Sequence, residues 1–238
     1  MTITARQKAI LKAVVKEYVR SAKPVASQQL EDKYDFGIKP ASIRIEMQKL
    51  TDEGFLNQPH TSAGRTPTDK GYRLFVNELL NSHHYAVPQD LKIKSKEFAS
   101  DEFENFFCAL QNLSKSIAQF SESLVVGYLE EEGVLWKEGF EEVLRQPEFE
   151  QKDLIDDLLD YLEYLEANVE KLKPNSDFEL LIGQENPCPK AREFATFALS
   201  FELFDAREVI MSIVGPKRMP YDKNIALIIQ VIKMFDQM

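Results

Sequence analysis

The sequence predicts an α+β fold in two parts, a mainly helical N-terminal part and a C-terminal antiparallel sheet covered by helices. In residues 1–82, apolar residues recur at helical spacing, and one loop is rich in glycine, proline and threonine. Residues 99–238 combine two long helical patterns with five short runs of β-branched and aromatic residues. A chain of 238 residues, 44% of them hydrophobic, is long enough to bury a core in each part.

Charge also separates the two parts. Residues 1–82 hold 13 Lys and Arg against 9 Asp and Glu, and the remainder holds 16 against 30, which agrees with the net charge of −10. A basic unit on an acidic body attracts phosphate groups at one face and discourages non-specific contact elsewhere. We therefore predict a DNA-binding domain at 1–82, a linker at 83–98 and a regulatory and dimerisation domain at 99–238.

Three helices are predicted before the polar loop. The first covers residues 4–21, where apolar residues recur every 3.6 positions. Pro24 interrupts the chain, and Ser27 is expected to cap a short second helix that ends near Gly37. Pro40 suits the first position of the third helix, because proline there needs no amide donor and pre-sets φ.

The third helix is the segment best suited to lie in a DNA groove. Ile43, Met47 and Leu50 fall at i, i+4 and i+7, so they are expected to face inward. The opposite face is then left for solvent or a ligand. Base readout in the major groove is predicted for Ser42, Arg44, Ile45 and Gln48.

The polar loop lies between Phe55 and Tyr72, and its composition is turn chemistry too polar for a core. Two helices followed by a hairpin form the winged variant of the helix-turn-helix, in which the later helix enters the major groove. A solvated loop without a partner is the alternative.

Arg65 is expected to enter the minor groove or contact a phosphate. Contacts to the DNA backbone are predicted for Lys39, Lys49, His60, Thr61, Ser62 and Arg65. Thr68 should cap a fourth helix that runs to Leu80.

Two long helices with narrow apolar seams are predicted in the acidic part. Spacings of three and four alternate along each seam, at residues 103–124 and 155–172. The seams either pack on each other within one chain or pair across a two-fold axis. We assign a homodimer contact to Phe103, Phe106, Leu110, Leu113, Ile117 and Phe120. Strands are predicted at 124–129, 134–136, 178–182, 197–204 and 208–214, and an amphipathic helix at 225–235.

The motifs of several common enzyme and cofactor classes are missing from the sequence. It contains no glycine-rich phosphate loop, serine elbow, dinucleotide fingerprint or metal-spaced set of His and Cys. We predict no enzymatic activity, no cofactor and no metal, and expect the pair His83-His84 to be exposed in the linker. No apolar run reaches the ~20 residues of a membrane helix, so the chain is expected in the cytoplasm without a membrane partner.

Short motifs in both parts resemble one known family. In the first part they are Pro24-Val25-Ala26-Ser27, Pro40-Ala41-Ser42-Ile43-Arg44, Gln58-Pro59-His60-Thr61-Ser62-Ala63-Gly64-Arg65, and Pro67-Thr68 with Gly71-Tyr72-Arg73. In the second they are Gln146-Pro147-Glu148-Phe149, Ile182-Gly183-Gln184-Glu185 and Ile213-Val214-Gly215-Pro216-Lys217-Arg218-Met219-Pro220-Tyr221. In this order they resemble the HrcA family of heat-inducible transcription repressors.

The resemblance implies a dimeric repressor that binds an inverted-repeat operator upstream of chaperone genes and is supported by the chaperonin. It also implies that the acidic body is similar to a GAF-like domain with an inserted dimerising domain. The stretch between the first long helix and Gln146 is too short for that whole arrangement, which predicts a reduced GAF-like domain without the insert. Ile45 stands where the family usually has Asn, and Ala26 where it usually has Gly.

A second hypothesis assigns the function to the acidic body. The chain would then be a protein-interaction module that senses an effector or a chaperonin, and its basic part would bind DNA without sequence preference. Only the first hypothesis predicts a preferred DNA site that survives higher salt.

Overall fold

The computed structural model describes residues 3–82, 103–203 and 207–236. The chain divides into two compact units, Met1–His84 and Tyr85–Met238. Helices and antiparallel strands occur in both, which confirms the predicted α+β class. The predicted linker at 83–98, including His83-His84, lies outside the described residues. Among the helices of the described ranges, none is both long and apolar enough to cross a membrane.

The N-terminal unit consists of four helices and one short hairpin. They are α1 (Ala5–Ser21), α2 (Ser27–Lys33), α3 (Pro40–Asp52), β1 (Leu56–Asn57), β2 (Thr66–Pro67) and α4 (Asp69–Ser82). Thr4 caps α1 by accepting a hydrogen bond from the Gln7 amide at 3.2 Å. The expected serine cap of α2 is wrong, because Ser27 is already helical and the cap position is Ala26, which has no side-chain acceptor.

The inward face predicted for α3 is confirmed. Ile43, Met47 and Leu50 are at most 3% exposed, whereas their neighbours on the other face are open to solvent. α3 packs on α1 and α2, and its apolar residues share one core with the stripes of α1 and α4. Periodic burial of this kind holds the helix in one rotational setting.

The C-terminal unit is a five-stranded antiparallel sheet with helices on both faces. Its elements are α5 (Phe103–Ser121), β3 (Leu124–Leu129), β4 (Val134–Glu138), α6 (Phe140–Leu144), α7 (Lys152–Ala167), β5 (Phe178–Ile182), β6 (Phe194–Glu202), β7 (Glu208–Pro216) and α8 (Tyr221–Asp236). The strand order is β4-β3-β7-β6-β5, and every neighbouring pair is antiparallel. All five predicted strands and the final helix are therefore confirmed, with boundaries shifted by a few residues.

The dimer contact assigned to the first seam is corrected by the structure. Phe106, Leu110, Leu113 and Ile117 are at most 3% exposed within the single chain, where α5 packs on β3, β4 and α8. Small residues beside the seam widen its apolar face beyond that of a coiled coil, and this broad face suits a sheet. Phe120 is half-buried under the Lys223 ammonium, which lies 4.2 Å from its ring centroid. The side chain of Phe103 lies outside the described residues.

The two seams also do not pack on each other, because the sheet lies between their helices. Gly127 and Trp136 are paired across β3 and β4, and the indole Nε1 of Trp136 donates to Ser114 of α5 at 2.8 Å. Val126 points to the opposite face and belongs to the core that contains Leu162 of α7. Helix α7 ends at Ala167, so the last two apolar residues predicted for its seam lie in a separate short turn.

Arg218 joins two of the downstream motifs. Its Nη2 donates to Gln146 Oε1 at 2.9 Å and to Glu148 Oε2 at 3.1 Å, and its Nε donates to Glu148 Oε1. The guanidinium thereby ties the turn between β7 and α8 to the short helical turn Pro147–Glu150.

We expect Tyr161→Phe to destabilise the C-terminal unit by about 1–3 kcal/mol. The buried Tyr161 hydroxyl donates to Asn186 Oδ1 at 3.0 Å and lies 2.8 Å from Thr196 Oγ1. Its removal leaves two buried polar atoms without a partner. Urea unfolding followed by Trp136 fluorescence measures the change. Tyr164→Phe on the same helix is the matched control, and equal stability of the two variants would contradict the role given to this hydroxyl.

Candidate nucleic-acid interface

The solvent face of α3 brings the predicted base-reading residues together. Lys39 is the cap residue with an extended backbone, and Pro40 follows as the first helical residue, as predicted. Ser42 and Ile45 lie one turn apart, and Arg44 and Gln48 form the adjacent row. All four side chains are exposed. The face is therefore continuous, with cationic, hydroxyl and apolar groups side by side.

The two halves of this face differ in how their side chains are used. Gln48 Nε2 donates to Asp52 Oδ1 at 2.8 Å, and the Lys49 ammonium lies 2.8 Å from Glu46 Oε1. In contrast, neither Lys39 nor Arg44 forms an ion pair with any residue that the structure describes. The N-terminal half thus offers cations beside the positive end of the helix dipole, and the C-terminal half is neutralised by its own carboxylates.

Arg65 is buried and does not extend from the hairpin as the free cation that the sequence suggested. It is 7% exposed. Its Nε donates to Thr51 Oγ1 at 2.9 Å, and its Nη2 donates to Gln48 Oε1 at 2.7 Å. Its backbone pairs with Val25 through two hydrogen bonds of 2.8 and 2.9 Å. One residue therefore connects the hairpin, α3 and the strand-like residue before α2.

A small cleft lies beside Arg65. It has a volume of about 140 Å³, and its lining includes Ser27, Arg44, Ser62 and Arg65. Burial lowers the pKa of Arg65, and the nearby Arg44 guanidinium lowers it further. Two cations on one cleft repel each other, and an anion between them would relieve that repulsion.

The loop of the hairpin presents His60, Thr61 and Ser62 to solvent, as predicted. Gln58 Nε2 donates to the carbonyl of Thr61 at 2.8 Å, which holds the loop closed. Gly64 passes so close to the segment before α2 that a Cβ at this position would meet the Val25 carbonyl oxygen at 2.3 Å. Only glycine permits this approach without a shift of the backbone.

Buried Glu17 joins α1 to α2, and the sequence analysis did not anticipate it. Its Oε2 accepts from Arg20 at 2.8 Å and from Gln29 at 3.2 Å, and it is paired with Lys33. Burial raises the pKa of Glu17, but the bonds from Lys33, Arg20 and Tyr34 outweigh it and hold the pKa below its ordinary value. Glu17 lies within the apolar stripe of α1, and that position was the signal for a buried carboxylate.

Comparison with known proteins decides the family. The family model described as the HrcA protein C terminal domain matches residues 73–225, which is more than half of the chain. The chain belongs to the HrcA family. The matched relatives are named as transcription repressors, and the family is not one of enzymes.

One HrcA relative is the heat-inducible transcription repressor HrcA of Natranaerobius thermophilus, 26% identical over 97% of this chain and 95% of the relative. That alignment runs over 328 positions, whereas this chain has 238 residues, so the relative carries at least about 90 residues without a counterpart here. The repressor HrcA of Kineococcus radiotolerans is 54% identical over 76 residues, which is 32% of this chain and 22% of that protein.

A solved structure supports the fold alone. The crystal structure of a hypothetical protein at 2.2 Å resolution superposes with a TM-score of 0.81 at 20% identity, over 99% of this chain and 98% of that one.

Glu17 makes the N-terminal unit sensitive to acid. A carboxylate with a lowered folded-state pKa contributes stability above its unfolded pKa, and the contribution is lost as pH falls through the folded value. We expect Glu17→Gln to lower the free energy of unfolding at neutral pH by about 1–3 kcal/mol, with a smaller difference from wild type in acid. Amide hydrogen exchange of α1, measured for both proteins at each pH, tests this. Glu31→Gln on α2 is the control, because Glu31 is exposed; a pH-independent difference for Glu17→Gln would contradict the assignment.

Proposed function

We propose that this chain is a sequence-specific DNA-binding repressor of heat-shock genes whose N-terminal unit is a winged helix-turn-helix. In this proposal α2 and α3 are the helix pair, α3 enters the major groove, and the hairpin of β1 and β2 is the wing. Membership of the HrcA family supports the regulatory role, and the basic charge of residues 1–82 supports the choice of DNA as ligand.

One observation supports the proposal most strongly: the N-terminal half of α3 is fixed to the core on its inner face and exposed to solvent on its outer face. Ile43 and Met47 are buried, so the helix cannot rotate, while Ser42 and Arg44 project from its outer face. In helix-turn-helix proteins the N-terminal residues of the recognition helix contact base edges. Arg44 suits a guanine, whose O6 and N7 accept two hydrogen bonds from one guanidinium.

The remaining predicted contacts receive separate roles. Lys39, His60, Thr61 and Ser62 are proposed to contact the DNA backbone, with one phosphate at the cleft beside Arg44. Gln48 and Lys49 can reach DNA only by exchanging their bonds to Asp52, Arg65 and Glu46. Arg65 is proposed to act mainly as a positioning residue that holds the wing against α3.

The C-terminal unit is proposed to be a reduced GAF-like regulatory domain that pairs two chains on an inverted repeat in the cytoplasm. Because the apolar face of α5 is buried within one chain, the two copies must meet through other surfaces. A chaperonin remains a proposed partner of this unit. Heat would act by loosening the paired units until their spacing no longer fits two half-sites.

We expect Arg44→Ala to cost about 1–3 kcal/mol of binding free energy on the preferred duplex and to reduce discrimination against other sequences. The duplex is first selected from a random library with the wild-type chain. Fluorescence anisotropy then gives the affinity for the selected and a scrambled duplex at two salt concentrations.

Arg192→Ala is the matched control, because Arg192 is an exposed arginine in the acidic unit. Lys39→Ala should instead weaken both duplexes alike and reduce the salt slope by about 1, as for a lost phosphate contact. An Arg44→Ala variant that binds both duplexes as the wild type does would overturn the groove assignment. Selection of no preferred sequence would favour the module with non-specific DNA binding.

A further inference from the structure

Ile45 is the most exposed large hydrophobic side chain in the described parts of the chain. It is 58% exposed, compared with 49% for Leu159 and 42% for Leu144. It lies on the solvent face of α3, between Ser42 one turn before and Lys49 one turn after. At 58% exposure this isoleucine adds little to the core on which α3 rests, so any functional role of its side chain would be a contact with a ligand.

The surroundings of Ile45 select the kind of contact. Lys39 and Arg44, which form no ion pair with any described residue, lie on the same exposed face as Ile45, beside the positive end of the α3 dipole. A second copy of this cationic face would be repelled, whereas a polyanion would be attracted. DNA is therefore the occupant that fits both the charge and the proposed function of α3.

An isoleucine cannot donate or accept a hydrogen bond, so it can read only an apolar group. In the major groove of unmodified DNA the one apolar group on a base edge is the C5-methyl of thymine. The β-branched side chain is also held in one rotamer in a helix, so little conformational entropy is lost on contact. The geometry of the contact is thus set before DNA arrives.

We propose that Ile45 is a specificity-determining residue that recognises the C5-methyl group of one thymine in each half-site. This inference rests on the proposed function of α3 and deepens it, because it assigns a base to one position of the site. Arg44 reads its base by hydrogen bonds, and Ile45 reads the neighbouring base by apolar contact.

The test removes the methyl group and nothing else. Each thymine of the duplex selected by the wild-type full chain is replaced in turn by deoxyuridine, and anisotropy gives the affinity. We expect one thymine in each half-site at which the replacement weakens binding about three- to fivefold, the effect of one methyl group removed from an apolar contact. The same replacement should leave the affinity of the Ile45→Ala variant for the duplex unchanged.

Two further variants sharpen the result. Ile45→Val keeps a β-branched apolar side chain and should retain the preference for thymine over deoxyuridine. Ile45→Asn should lose this preference and gain affinity for adenine, whose N6 and N7 match an amide. A C5-methyl group is carried by thymine and also by 5-methylcytosine. A duplex with a 5-methylcytosine·guanine pair at the same position distinguishes recognition of these two bases. Tighter binding to that pair than to thymine·adenine would overturn the choice of thymine.

The inference and the proposed function fail in different ways. If the wild-type chain selects no preferred sequence, the proposed function fails. If a sequence is selected but no deoxyuridine replacement weakens binding, the inference is overturned and the proposed function stands. The same holds if a replacement weakens binding by the wild type and by Ile45→Ala equally. Because Ile45 is exposed, the variant should keep the wild-type circular dichroism spectrum and melting curve.

Discussion

The geometry of the N-terminal unit depends on one buried arginine. Arg65 forms two backbone hydrogen bonds with Val25, and its guanidinium donates hydrogen bonds to the side chains of Thr51 and Gln48. Charge-assisted hydrogen bonds in a buried position are strong, and breaking them leaves a cation without a partner. Arg65 therefore links the hairpin to Val25, which precedes α2, and to the C-terminal half of α3. A surface built from loop and helix can then meet a ligand without first being ordered.

As a result, the two halves of α3 have different roles. Its C-terminal half, with Gln48 and Thr51 bonded to Arg65, serves the structure of the unit. Its N-terminal half keeps Ser42, Arg44 and Ile45 available on a face that the buried residues orient outward. Two carboxylates attach α1 to its neighbours in a similar way. Glu17 of α1 pairs with Lys33 of α2, and Glu46 of α3 accepts a hydrogen bond from Gln7 of α1. In the proposed interface, specificity would therefore depend on these few side chains, whose helix is held by α1, α2 and Arg65.

Periodicity predicted much of this structure, and long-range partners account for what it could not predict. The inward face of α3 followed from its helical spacing, and the five strands followed from short runs of β-branched and aromatic residues, which each segment carries by itself. The burial of Arg65 depends on Gln48, 17 residues away, and no local pattern records that contact. The seam of α5 was likewise visible, but an apolar stripe does not say whether a sheet or a second chain covers it. Here the sheet does, and α7 lies on its other face.

In the proposed complex, DNA is read by the N-terminal half of α3 and the tip of the wing, which the bonds of Arg65 hold together as a preformed surface. Backbone amide NMR of the isotopically labelled chain, titrated with the selected duplex, tests this arrangement. We expect the chemical-shift changes to concentrate at residues 39–45 and 60–62, while the backbone amides of Val25 and Arg65 keep their hydrogen bonds, as measured by hydrogen exchange. Shift changes confined to the acidic unit, or loss of protection at Val25 and Arg65 on binding, would contradict it.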